Sequence, residues 1–217
     1  IDSYDGIVSF LQPFDLAVVP PMRAGVWHRD ETSAMLMVDM HHIVTDGVSH
    51  NNLKREFEVL YRGESLPPLR LQYKDYSNWL HSPAMVKKLE RQERFWLERF
   101  DGELPVLNLP VDFPRPASQV FDGTTIEFDI SRDETAALNR LAKSEGSTLF
   151  MVLLSAFHVF LNKITDQDDV MVGTPIAART HADLENIIGM FVNTLVLRQQ
   201  VNGNEPFGFL LKQVTQG

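Results

Sequence analysis

The stretch "SAMLMVDMHHIVTDGVSHNNLKREFEVLY", residues 33–61, changes its periodicity once, and that change decides the fold class. Residues 33–42 are mostly apolar or β-branched and read as a strand. From Gly47 onward, Val48, Leu53, Phe57, Leu60 and Tyr61 recur at roughly helical spacing. "RGESLPP" then ends the helix with a glycine and two prolines. A strand passes into a helix through a short polar turn holding His41, His42, Asp46 and Gly47.

Those four residues suggest chemistry of a limited kind. Side chains on a strand alternate faces, so His41 and His42 are expected to point to opposite sides and cannot easily share a metal. One histidine and one aspartate fall short of the three or four protein ligands of a zinc site, and no H-E-x-x-H pattern occurs. A single histidine near neutral pKa suffices for proton transfer. Asp46 can orient it or pair with a distant arginine. Gly47 allows close backbone approach and opens a helix with free N–H groups. A purely structural arrangement fits the same residues: hydrogen-bonded core histidines, and Asp46 as a helix N-cap.

Working outward, "MRAGVWHR" (22–29) reads as a partner strand, with "DET" (30–32) as the hairpin turn. Residues 1–22 read as irregular, and 72–81 and 83–100 as helices. The segment 101–123 carries four prolines and two glycines and is the best linker. Beyond it, "TTIEFDI" (124–130) alternates like a strand. Ser131 with Glu134 forms a capping-box pattern, and Gly146 is a helix stop. "STLFMVLLSAFHVFLNKIT" reads as a buried helix, with His158 a core histidine. A strand (168–177), a loop and strand (185–201) and a final helix (205–214) follow. Strands alternating with helices indicate an α/β class.

Composition excludes several functions. The chain has 217 residues, a formal net charge of -9 and no cysteine. An acidic chain without a basic patch argues against nucleic-acid binding. Without cysteine there is no disulfide, thiolate nucleophile or cysteine-ligated metal. No run reaches the ~18 apolar residues of a membrane span. No secretory signal is visible, so a cytoplasmic location is expected. The chain opens without Met and ends inside a helical pattern, and so reads as a piece of a longer polypeptide.

Three motifs resemble one family. "MHHIVTDGVS" resembles the HHxxxDG motif of condensation domains in nonribosomal peptide synthetases. "YKDYSNWL" (73–80) resembles their Y-x-D-[FY]-x-x-W motif. "IIGMFVNTLVLR" (187–198) resembles [IV]-G-x-F-V-N-T-x-x-x-R. HHxxxDG is shared across a wider acyltransferase superfamily. With "GMFVNT" it points to condensation rather than epimerisation, and the intact histidine pair separates the chain from heterocyclisation domains. The family's two earliest motifs and its last one are absent.

The resemblance implies a chloramphenicol-acetyltransferase-like α/β fold, present as parts of two lobes. Residues 1–105 would be the later part of the N-terminal lobe, 106–123 a Pro-rich linker, and 124–217 the early part of the C-terminal lobe. The implied reaction is amide (peptide) bond formation between an acyl or peptidyl thioester and an aminoacyl thioester, as in antibiotic biosynthesis. Both substrates would ride on phosphopantetheine arms of upstream and downstream peptidyl carrier proteins, beside an adenylation domain. No metal or diffusible cofactor would be bound.

The implied catalytic set is His42, Asp46 and Gly47. His42 would take a proton from the amine or steady the tetrahedral intermediate. Asp46 would be held by an arginine of the second lobe, with Arg179 the first candidate. Gly47 would give backbone room or an N–H near the thioester. His41 would be structural, and Asn193 would line the substrate tunnel. Tyr73, Asp75 and Trp79 read as packing residues. The alternatives are epimerisation or another thioester-dependent acyl transfer, or a non-catalytic carrier-docking or inert fragment.

Overall fold

The computed structural model describes residues 4–120 and 122–216; residues 1–3 of the irregular N-terminal stretch, Phe121 in the expected linker and Gly217 lie outside the described residues. The chain forms two compact units. One comprises 1–99 with 175–194, the other 100–174 with 195–217.

The first unit begins with α1 (Tyr4–Phe10), where the sequence suggested irregular chain. Seven residues are too few for a periodic pattern to speak. β1 (Met22–His28) and β2 (Ala34–Met40) then form an antiparallel hairpin. Arg23 faces Asp39 across it, with their charged groups 3.1 Å apart. The Asp30 carboxylate closes the predicted turn by accepting from Thr32 and Ser33.

The strand does not run through His42 as the sequence suggested. Met22 pairs with Met40, and the His41 N–H makes one further bond, 3.0 Å to the Pro21 carbonyl. Pro21 has no N–H to return, so the ladder stops there. The chain turns into a short 3₁₀ segment, His42–Val44. The strand-alternation argument therefore does not apply to the two histidines.

α2 (Gly47–Tyr61) follows, then α3 (Tyr73–Leu80) and α4 (Pro83–Arg99). The Asp75 carboxylate accepts the Gln72 N–H, 2.8 Å away, at the start of α3. Leu184, Ile187 and Phe191 form a buried cluster with Leu71, Tyr73 and Tyr76. The segment 175–194 thus packs into this unit, although it follows the Pro-rich stretch in sequence.

In the second unit, α5 (Arg132–Ser144) carries the predicted capping box, with the Ser131 N–H donating to Glu134 at 3.0 Å. Gly146 beyond it has φ of 64°, the left-handed conformation that stops a helix and suits glycine. α6 (Leu149–Thr165) is the buried apolar helix. β3 (Asp169–Ile176) and β4 (Asn193–Gln200) pair, and α7 (Phe207–Gln216) closes the described chain. Leu161, Val170, Val201 and Leu210 form one core cluster, and Ala142, Val152 and Leu211 another.

Part of the expected linker is packed here. Leu107 and Leu109 lie against the first cluster, and the Gln167 side chain bonds the backbone of Val106 and Asn108. Residues 124–130 form no strand, contrary to their alternation; Ile126 and Phe128 are about 85% exposed. A strand needs a neighbour for its backbone hydrogen bonds, and none of the described segments pairs with this one. Among the described residues, no single helix is long and apolar enough to cross a membrane.

Candidate active site

The site is built inside the first unit, where the first two sequence motifs meet residues 187–194 of the third. Asp46 leaves the 3₁₀ turn in extended conformation and caps α2, accepting the Ser49 N–H at 2.8 Å. A polar side chain one residue before an apolar-periodic helix is the usual N-cap arrangement. What is unusual is its burial: Asp46 is fully inaccessible.

A buried carboxylate must be compensated, and here the compensation comes from far along the chain. Arg179 Nη2 lies 3.0 Å from Asp46 Oδ1, and the Phe191 N–H donates to Oδ2 at 3.1 Å. Ser49 Oγ is 2.7 Å from Oδ1. Burial pushes the Asp46 carboxyl up. The donations from Ser49, Phe191 and Arg179 outweigh it and hold the carboxyl below its ordinary value. Arg179 is held by further contacts: its Nη1 donates to the carbonyls of Leu184 and Ile187, and its guanidinium lies 4.0 Å over the Phe191 ring. Ala178, just before it, has φ of 49°, a costly conformation for a residue with a Cβ. That cost is sustained where the buried ion pair fixes the next residue.

The helix of the second motif holds the same segment. Tyr73 Oη donates to the Met190 carbonyl at 2.7 Å. The Tyr73 ring lies so close to Gly189 that a Cβ there would be 2.1 Å from Cδ2. Tyr73 and Tyr76 both pack on Phe191, with ring centroids 5.2 and 4.7 Å apart.

The two histidines differ in role. His41 Nδ1 accepts the Ile43 N–H at 3.1 Å, and the ring packs edge-on against Phe14. His41 therefore ties the turn together. His42 is exposed on that turn. Between them, His41 and Asp46 hold both ends of the segment that presents His42.

Gly47 is exposed, and a Cβ there would meet nothing within 4 Å. Asn193 is exposed at the start of β4, its Oδ1 accepting the Thr194 N–H at 2.8 Å. Arg198, the last residue of the third motif, pairs with Asp169, its Nη2 at 2.6 Å. Among the described residues, no cluster of three or more His, Asp or Glu is arranged to hold a metal.

The condensation domain profile matches residues 3–217, essentially the whole chain. The chain belongs to the condensation domain family. It is 45% identical to tyrocidine synthase 3 of Brevibacillus parabrevis over 95% of its length, and 43% identical to gramicidin S synthase 2 of Brevibacillus brevis over 97%. It spans only 3% and 5% of those relatives. Among solved structures, the X-domain from teicoplanin biosynthesis, in complex with OxyB, superposes with a TM-score of 0.89 at 22% identity. That match covers all of this chain and 51% of the other. The condensation domain of the monacolin K polyketide synthase superposes at 0.79 and 18% identity, with 100% and 52% covered. The fold is thus the chloramphenicol-acetyltransferase-like α/β fold of condensation domains, of which the chain holds about half.

Two contributors to this site were not singled out from sequence. Ser49 and Asn52 lie one turn apart on α2 and both are buried. Asn52 Nδ2 donates to the Glu185 carbonyl at 2.7 Å. The available signal was two small polar residues on the helix face that a solvated helix would have left apolar or turned outward.

Proposed function

We propose that this condensation domain, within its parent synthetase, joins carrier-bound substrates through an amide bond. The amine nitrogen of an aminoacyl thioester attacks the carbonyl carbon of an acyl or peptidyl thioester. The C–N bond forms, the C–S bond breaks, and the thiol leaves on the donor's phosphopantetheine arm. His42 accepts the proton lost by nitrogen or stabilises the tetrahedral intermediate. Gly47 gives the thioester room beside the start of α2, and Asn193 contacts a substrate arm. His41, Asp46 and Arg179 keep the turn in place.

The observation that carries this reading is the contrast at one turn: an exposed His42 between a tied His41 and a buried, ion-paired Asp46. A proton-transfer residue needs access to substrate and a fixed position, and an exposed His42 on a turn held at His41 and Asp46 supports that role. The reaction needs no metal. The phosphopantetheine arms come from upstream and downstream carrier proteins, with an adenylation domain adjacent, in the cytoplasm. In this reading residues 1–105 supply the later part of the N-terminal lobe, 106–123 a connector, and 124–217 the early part of the C-terminal lobe.

The test is His42→Ala in the full-length parent, assayed with carrier-loaded substrates. Amide formation is expected to fall by about 10²- to 10⁴-fold, the usual worth of a positioned general base, with the melting temperature unchanged. Near-normal rates would overturn the assignment of His42. Inversion at Cα without a new amide would identify epimerisation instead. Carrier binding unchanged by the substitution, with no turnover in the wild type, would mark a docking module.

A further inference from the structure

Ser49 is fully buried, and its hydroxyl is the meeting point of four groups. Asp46 Oδ1 is 2.7 Å from Oγ and the Gly189 carbonyl oxygen 2.9 Å. The Gly189 N–H and Arg179 Nη2 approach at 3.0 and 2.9 Å. A hydroxyl has one proton and two lone pairs. Ser49 therefore accepts from Gly189 N–H and Arg179, and donates to one of two acceptors. The charged Asp46 oxygen is the stronger and closer of them. No apolar side chain of similar size can replace this arrangement, because the buried Gly189 N–H would lose its acceptor and Arg179 Nη2 would keep only Asp46.

The same hydroxyl also belongs to a series of tethers on consecutive residues. Ser49 holds the Gly189 N–H, Tyr73 holds the Met190 carbonyl, and Asp46 holds the Phe191 N–H. Gly189 lies 140 residues from Ser49 in sequence. Ser49 thus links the turn that presents His42 to the segment that leads, two residues after Phe191, into Asn193.

We infer that Ser49 is a positioning residue of the reaction: its hydroxyl sets the turn carrying His42 and the 189–193 segment in mutual register. The inference rests on the condensation reading above. Ser49 touches no substrate in this role. It acts through Asp46 and Gly189, so its loss lowers the rate of the bound complex more than the binding of substrate.

The experiment compares wild-type parent synthetase with its Ser49→Ala and Ser49→Thr variants. kcat and KM for the acceptor-loaded carrier are measured, together with hydrogen exchange over residues 187–193. For Ser49→Ala we expect kcat to fall about tenfold or more at unchanged KM, with faster exchange confined to 187–193 and the start of α2. Ser49→Thr, which keeps the hydroxyl, restores most of both. An alanine variant with wild-type kcat, or one changed in KM alone, overturns the inference, as does unchanged exchange. If Ser49→Ala does not fold, Ser49→Cys, with a weaker donor and acceptor of similar size, is read by the same criteria. A wild type that forms no amide refutes the condensation reading. The exchange pattern then decides separately whether Ser49 holds the segment.

Discussion

The Asp46 carboxylate and the Arg179 guanidinium pair at 3.0 Å with side chains 0% and 5% exposed, although 132 positions intervene between them. Breaking a buried pair by removing one partner leaves the other charge uncompensated, at a cost of about 3–5 kcal/mol. Asp46→Ala is therefore expected to lower stability by that order, measured by thermal or urea unfolding. An unchanged melt would show that the pair does not stabilise the folded state.

The pH dependence of that pair has a definite sign. The folded Asp46 carboxyl lies below its ordinary value of 3.8, so the native state binds fewer protons than the unfolded chain. Its stabilisation is complete above the unfolded pKa, near 4, and is lost as pH falls through the folded value. Asp46→Asn does not titrate. The stability gap between wild type and this variant should be constant from pH 7 to 5 and shrink below about pH 4. Urea midpoints at pH 5 and pH 3 measure it, and an equal gap at both would contradict the pairing.

Two glycines of the motifs should behave oppositely. An alanine Cβ at Gly189 would meet the Tyr73 ring at 2.1 Å, whereas one at Gly47 would meet nothing within 4 Å. Gly189→Ala must displace a ring packed on Tyr76 and Phe191, an overpacking worth about 1–3 kcal/mol. Gly47→Ala should melt within about 0.5 kcal/mol of wild type. A loss of amide formation in a normally stable Gly47→Ala would place that residue beside substrate; full activity would remove it from the catalytic set.

His158 gives the second unit its own acid sensitivity. It is 1% exposed on α6, and its Nδ1 lies 2.9 Å from the Leu154 carbonyl. Burial pushes its pKa down, against the opposing pull of the Leu154 and Leu197 carbonyls. The unfolded state thus takes up a proton near pH 6.5 before the folded state does. Stability from this residue is present above that pH and falls as pH drops below it. Urea midpoints between pH 8 and 5 should fall more steeply for wild type than for His158→Gln. Parallel curves would show that His158 titrates alike in both states.

Much of the local structure was legible because it depends on neighbours in sequence. The period change near His41 located β2 and α2, and Ser131 with Glu134 marked the start of α5. Strand limits were not legible in the same way. β2 stops at Met40 because its partner strand begins after a proline, and 124–130 stays unpaired despite its alternation. In both cases the deciding fact is a hydrogen-bond partner elsewhere in the chain. Ser49 escaped notice for a related reason: its environment is made by Gly189 and Arg179, not by α2.

By itself, the sequence of this protein determined its α/β class, most helix boundaries, and the motif residues His41, His42, Asp46, Gly47 and Asn193. Helix capping, periodicity and turn chemistry act within a few residues, so they can be read along the chain. Only the tertiary structure decided that residues 175–194 pack with the first ninety-nine, and that Asp46, Ser49, Arg179 and Phe191 share one buried set of hydrogen bonds. A buried charge must find its partner wherever the fold brings one. That requirement is set by burial, which no local stretch of sequence contains.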